Sequence, residues 1–343
     1  MKALVLESYN HLVYKDVPVP EFGANELLIR VKACGICGSD VHGFDGSTGR
    51  RVPPVIMGHE AAGIVERTGR DVKSFSPGDR VTFDSTIYPL DDWYARKGQY
   101  NLSDKRMVLG VSTGEYKREG AFAEYVVVPE HIVYRLPDAV SYAQAAMCEP
   151  AAVATHAINL TAVRMMDSVL VVGVGIIGLF LVQILKSSGA GIILVIDPDE
   201  RKLEMAKKFG ADHTFNNWDR KAHDAILSLT QSRGADIAFE AVGISESVHT
   251  AITNVRKGGR VTLVGNLSST IDFPLQDCVT REIRVQGSCA IAGEYEQVLR
   301  MMSTGQLKAD PLISAEAPLS DGAPWFRKLY DKTPGLFKVI LKP

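Results

Sequence analysis

The sequence predicts an α/β protein in two domains, a β-rich domain followed by a doubly wound parallel sheet. Three observations predict it. Short β-branched and aromatic runs broken by Gly and Pro fill residues 1 to about 150, as in a barrel or sandwich. From about 151 onward, apolar runs of strand length alternate with helix-length segments, the rhythm of parallel strands joined by crossover helices. At the head of that alternation, Val169-Leu-Val-Val-Gly173-Val-Gly175-Ile-Ile-Gly178 reads as a strand, a glycine turn and a helix start.

In chain order, residues 27–33 and 61–66 alternate as strands, 77–82 is a turn feeding a strand, and 121–129 is an aromatic and β-branched run stopped by proline. Ser141 is placed to N-cap a helical run to Met147, and 151–158 reads as a linker helix. Strands are then expected at 169–173, 192–197, 213–215, 236–240, 260–264 and 283–288, with helices near 176–188, 199–209, 219–231 and 244–256. One helix near 294–303 and a strand within 336–343 follow. A strand after the second domain suggests that the chain returns to complete the first. The expected domains are therefore 1–150, completed by 290–343, and 151–289.

The glycine spacing carries chemistry. Gly173 permits a tight turn, Gly175 lets the backbone approach a pyrophosphate, and Gly178 lets the helix pack close to the strand. The helix start at Gly175, Ile176, Ile177 and Gly178 then offers unpaired N–H groups and a positive dipole end to phosphates. Asp197 closes the second strand, nineteen residues after Gly178, where an acid binds the adenosine ribose 2′-hydroxyl and repels a 2′-phosphate. NAD is expected over NADP, and Arg201 reads as a solvated residue of the next helix.

The chain has 343 residues, 46% apolar and 23% charged, with a formal net charge of −2 and no basic block. That gives no reason to expect nucleic acid or a membrane surface as a partner. An acid at Glu7 comes too early for a secretory signal, and five scattered cysteines suggest no disulfide framework, so a reducing cytoplasm is expected.

Three separated segments hold the metal-capable residues. Cys34-Gly-Ile-Cys37-Gly-Ser39-Asp40-Val-His42 is the densest, Gly58-His59-Glu60 follows, and Cys148-Glu149-Pro150 is third. Sulfur, imidazole and carboxylate from three segments suit a catalytic zinc with an open position. Taken alone, Cys34 and Cys37 could be a redox pair or two buried thiols, and no second C-x-x-C exists for a closed structural site.

Together with Pro77-Gly-Asp-Arg-Val81, Gly120-Ala-Phe-Ala-Glu-Tyr125 and Phe209-Gly-Ala-Asp212, these motifs resemble the medium-chain zinc-dependent alcohol dehydrogenases along essentially the whole chain, most of all their sorbitol (polyol) branch. The resemblance implies a GroES-like catalytic domain and a Rossmann domain, with the site in the cleft between them. It implies Cys37, His59 and Glu60 as zinc ligands, with Glu149 beside a zinc-bound water and able to exchange onto the metal. Asp40 would accept from the ring of His59, Cys34 would be a buried thiol, and Ser39 and His42 would pass the substrate proton outward. It also implies a homodimer or homotetramer. The implied reaction is zinc-dependent transfer of a hydride between a secondary alcohol, polyol or diol and NAD, giving a ketone. The rival readings are a zinc-independent NADPH quinone or enone reductase, and a non-catalytic NAD(H)-binding sensor.

Two departures from that pattern stand out. Where many relatives hold a second, structural zinc with four cysteines, Pro89, Asp92, Ala95 and Ser103 stand here, so one zinc is expected, with Trp93, Tyr94 and Tyr100 packing the loop instead. The Arg-Tyr pair of sorbitol dehydrogenases is absent from Gly287-Ser-Cys-Ala-Ile-Ala-Gly293, and Gly43 replaces the usual aromatic after His42.

Overall fold

The computed structural model describes residues 1–216 and 220–343. The chain divides into two compact units, Met1–Glu149 with Ile291–Pro343, and Pro150–Ala290. The division falls inside the helix Cys148–Thr161, which is longer at both ends than the predicted linker helix.

The first unit is built on a seven-stranded sheet. Its ordered path runs Val133–Arg135, Arg80–Phe83, Glu60–Thr68, Glu26–Gly35, Lys338–Lys342 and Ile313–Pro318, and Tyr125–Pro129 also pairs with Glu26–Gly35. The C-terminal strand lies antiparallel to Glu26–Gly35, with Ile340 opposite Gly35 and Leu341 opposite Cys34. The return of the chain therefore places Lys338 beside the strand that ends at the cysteine motif. A smaller sheet of His11–Asp16, Lys2–Ser8 and Val55–Ile56 packs into the same core. Phe122 and Phe44 contact Phe326 of the helix Gly322–Tyr330, at 5.5 and 6.1 Å between ring centroids. Such aromatic contacts contribute beyond the area they bury and seat the C-terminal segment in this unit.

The second unit meets the doubly wound expectation. Its sheet order is His213–Phe215, Ile192–Ile196, Ser168–Val172, Ala235–Glu240, Val255–Leu263 and Arg284–Gly287, with every pair parallel. The order reverses beside Ser168–Val172, the place where such sheets bind ligands at the carboxyl ends of their strands. The central strands are apolar on both faces because helices cover both, which is why they read as unbroken Val/Ile/Leu runs. The helices Ile176–Ser187, Glu200–Phe209 and Ser245–Asn254 lie within a residue or two of expectation. The expected start of the fourth at Asp219 lies outside the described residues, and Arg220–Leu229 is helical. One strand begins five residues earlier than expected, at Val255, because the Ala235–Glu240 pairing shifts register across the glycines of Lys257-Gly-Gly259. The helix Leu275–Thr280 was not foreseen.

Candidate metal centre and dinucleotide site

The metal-capable side chains converge in the first unit. Cys37 follows the strand Glu26–Gly35 and caps the short helix Gly38–Gly43. Its Sγ accepts from Ser39 N at 3.4 Å and from the Ser39 hydroxyl at 3.2 Å. In return Asp40 Oδ2 accepts from Cys37 N at 3.3 Å, so the helix start and the sulfur position are fixed together. His59 and Glu60 lie where the chain enters the neighbouring strand Glu60–Thr68. Gly35 makes room for Glu60, since a Cβ there would meet Glu60 Oε2 at 2.4 Å.

A sulfur of Cys37, a ring nitrogen of His59 and a carboxylate oxygen of Glu60 all lie within 4.8 Å of one another. Thiolate, imidazole and carboxylate are the donors zinc takes, and His59 and Glu60 are both buried, so this donor set fits the metal. Glu149, in the first turn of the helix Cys148–Thr161, is outside that group; its carboxylate accepts from the Ser85 hydroxyl at 3.5 Å. Without a metal, burial pushes the Glu149 carboxyl up to about 7, offset in part by His59 and reinforced by Glu60.

Around these three side chains lie charges that sequence reasoning missed. Lys338 Nζ sits 2.8 and 2.6 Å from the two oxygens of Glu60 and 3.1 Å from Ile36 O, and is 2% exposed. Burial alone would lower the lysine; the Glu60 carboxylate beside it outweighs that and raises it. Arg51, also 2% exposed, donates to Asp40 Oδ1 at 2.8 Å. Burial would raise Asp40, but His59 and then Arg51 hold its carboxyl well below the usual range. His59 Nδ1 lies 3.4 Å from Asp40 Oδ1 but off hydrogen-bond geometry, and it has no hydrogen-bond partner among the described residues. The expected bond is thus a close approach rather than an aligned one. Cys34 is fully buried, and loss of water raises its thiol far above the ordinary value. Ser39 and His42 are exposed and three residues apart on one helix, hence on one face.

The dinucleotide motif lies in the second unit. Gly173 takes φ +88, a left-handed conformation that an L side chain rarely adopts. Gly178 packs so closely that a Cβ would lie 2.1 Å from Gly173 O, whereas nothing stands within 4 Å of a Cβ at Gly175. Gly175 starts the helix Ile176–Ser187 with no side-chain cap, and Ile176 and Ile177 form its partly exposed first turn. The open space at Gly175 and the uncapped N–H groups suit a pyrophosphate. Asp197 is 4% exposed; its Oδ2 accepts from Val174 N and its Oδ1 from Asp199 N, both at 2.9 Å. Lys202 Nζ is 3.8 Å from Asp197, while Arg201 is engaged by Asp199 at 3.0 and 2.9 Å. A cavity of about 1160 Å³ opens beside Asp197, lined by Ile196, Pro198 and the facing helices at His223 and His249.

These two sites, on these two folds, define a zinc-binding, nicotinamide-dependent dehydrogenase. Residues 23–138 match the alcohol dehydrogenase GroES-like domain, and residues 177–304 match the zinc-binding dehydrogenase family. The chain is 33% identical to sorbitol dehydrogenase of Bacillus subtilis, over 93% of this chain and 90% of that one. It is 32% identical to D-arabitol-phosphate dehydrogenase of Enterococcus avium, over 94% and 91%. Its fold superposes with a TM-score of 0.88 on a zinc-binding dehydrogenase of Sinorhizobium meliloti bound to NADP, at 30% identity and covering 100% and 99% of the two chains. The chain belongs to the medium-chain zinc-binding alcohol dehydrogenases, in their polyol branch. It is an enzyme that interconverts an alcohol and a ketone with a nicotinamide cofactor.

Proposed function

We propose that the enzyme oxidises a secondary alcohol, namely a polyol, sugar alcohol or diol, to the ketone, with NAD and one zinc. The observation that carries this reading is the convergence of Cys37, His59 and Glu60 within 4.8 Å. These three would hold the metal, with Glu149 next to it as an exchangeable carboxylate. We assign catalysis to the first unit and the dinucleotide to the second, through Gly173, Gly175, Ile176, Ile177, Gly178 and Asp197. No structural zinc is proposed, because the four positions that would hold it carry no cysteine.

When bound, zinc supplies Lewis acidity toward an alcohol oxygen, and the nicotinamide supplies the hydride acceptor. The chain's own residues handle the proton. Ser39 is an exposed hydroxyl that both accepts and donates, beside the Cys37 sulfur. It takes the alcohol proton and gives up its own, and His42, exposed on the same face, passes a proton to solvent. Asp40, 3.4 Å from His59 Nδ1, would orient that ring once the two align, as a carboxylate behind a ligating histidine does.

NAD is favoured because Asp197 sets a carboxylate where a 2′-phosphate would lie, and because Arg201 is already engaged by Asp199. NADP is the second reading, since a relative of the same fold binds it and Lys202 stands near Asp197. The cavity beside Asp197 would take the adenosine end. A homodimer or homotetramer in a reducing cytoplasm completes the proposal; the strand Arg284–Gly287 ends its sheet and offers an edge for pairing.

The test is NADH formation against a panel of diols, polyols and sugar alcohol phosphates. Turnover is expected on at least one secondary alcohol and none on quinones or enones. Reduction of enones with NADPH as the only activity would overturn the reading.

A further inference from the structure

Arg51 is a buried cation that the proton path has not used. Its Nη2 donates both to Asp40 Oδ1 at 2.8 Å and to Ser39 Oγ at 3.1 Å, and its Nε has no hydrogen-bond partner among the described residues. Its backbone carbonyl is held by the Tyr9 hydroxyl at 3.2 Å. Space for the side chain comes from Gly43, where a Cβ would lie 2.2 Å from Arg51 Cδ. The glycine that replaces the expected aromatic after His42 is therefore the space that admits the arginine.

A guanidinium donates and never accepts, so Ser39 Oγ must accept from Arg51. One lone pair of Ser39 Oγ then remains to receive a proton, and the O–H proton, which the hydroxyl directs at the Cys37 sulfur at 3.2 Å, is the one to give. The adjacent positive charge also stabilises that oxygen whenever it carries excess negative charge, as charge-assisted hydrogen bonds do. Asp40 balances the buried cation and keeps the guanidinium aimed at the hydroxyl.

We propose that Arg51 is a positioning residue that orients Ser39 for proton transfer, and that Gly43 exists to admit it; the inference rests on Ser39 being the relay. The proton leaving the substrate hydroxyl bonds to the free lone pair of Ser39 Oγ. The proton already on Ser39 leaves to the next acceptor, and Ser39 ends neutral as it began.

The test is a double-mutant cycle on zinc-loaded enzyme: wild type, Arg51→Lys, Ser39→Ala and the double variant, each measured for kcat, KM, bound zinc and thermal midpoint. Arg51→Lys is expected to lower kcat about tenfold or more, with KM for NAD and the zinc count unchanged. In the Ser39→Ala background the same change is expected to cost less than about twofold, because coupled residues are not additive. Gly43→Ala leaves every charge in place and displaces Arg51, so it should lower kcat in the same Ser39-dependent way; it carries the test if Arg51→Lys does not fold. Losses that multiply independently, or loss of zinc with no coupling to Ser39, overturn the inference. If Ser39→Ala alone keeps wild-type kcat, the relay reading fails and this inference falls with it. If Ser39→Ala is impaired while Arg51→Lys and Gly43→Ala are not, only the inference falls.

Discussion

Lys338 shows how a single buried charge conditions the metal centre. It faces both oxygens of Glu60, a residue that would also serve zinc. Removing one partner of a buried pair typically costs about 3–5 kcal/mol, because the other charge is left uncompensated. Lys338→Met should therefore destabilise the metal-free protein by about that amount, and the zinc-loaded protein by less, since the ion then balances Glu60. Thermal melts with and without zinc check this; equal losses in both forms would mean that Glu60 does not answer to the metal. At the dinucleotide site, Asp197→Ala should lower the preference for NAD over NADP by about ten- to a hundredfold, the worth of a charged hydrogen bond. Ratios of kcat/KM for the two cofactors read it directly. Asp197, Cys37, His59 and Glu60 were visible in the sequence because each sits in a motif with a chemical meaning. Lys338 and Arg51 were not, because a lysine in an apolar strand and an arginine in a Gly-rich loop both read as solvated until their partners, distant in sequence, are known.

Between residue and domain, the loop 84–106 stabilises itself through side chains. Tyr100 is buried, stacks on Tyr88 at 4.2 Å and donates its hydroxyl to Asp84 Oδ2 at 2.7 Å. Trp93 packs on the outside of the loop rather than within it: it is 61% exposed, edge-on to Tyr94 at 4.9 Å and with Lys97 over its ring. Burial pushes the Asp84 carboxyl up to about 6, only partly offset by the hydrogen bonds from Thr86 and Tyr100. The folded chain thus keeps a proton to about pH 6 that the unfolded chain releases near 3.8. Folding takes up that proton within this window, so the Asp84 contribution to stability falls as pH rises through it, by about 3 kcal/mol in total. Asp84→Asn does not titrate, so its stability relative to wild type should improve between about pH 4.5 and 7. Urea unfolding at the two values checks it, and a constant difference would count against a buried, protonated Asp84. Elements of the second unit were legible because buried parallel strands read as apolar runs and glycines mark their turns. The helix Gly322–Tyr330 was not legible: it opens on Gly-Ala-Pro, and of its apolar side chains Phe326 is the one fully buried.

Over the whole chain, no helix of the described residues is long and apolar enough to cross a membrane, although 169–185 is nearly unbroken apolar sequence. That run is a buried strand and a buried helix joined by the glycine turn. The return of the C-terminal strand to the first sheet could be anticipated from its position after the second domain; its pairing partner could not, because register depends on residues 300 positions away. The central claim is that Cys37, His59 and Glu60 bind one catalytic zinc. The most direct measurement is the zinc content of purified wild type and His59→Ala, with NADH formation followed through chelation and zinc return. The account predicts about one zinc per chain in wild type, little in the variant, and activity lost on chelation and restored by zinc. Two zincs per wild-type chain, none, or a rate indifferent to chelation would contradict it.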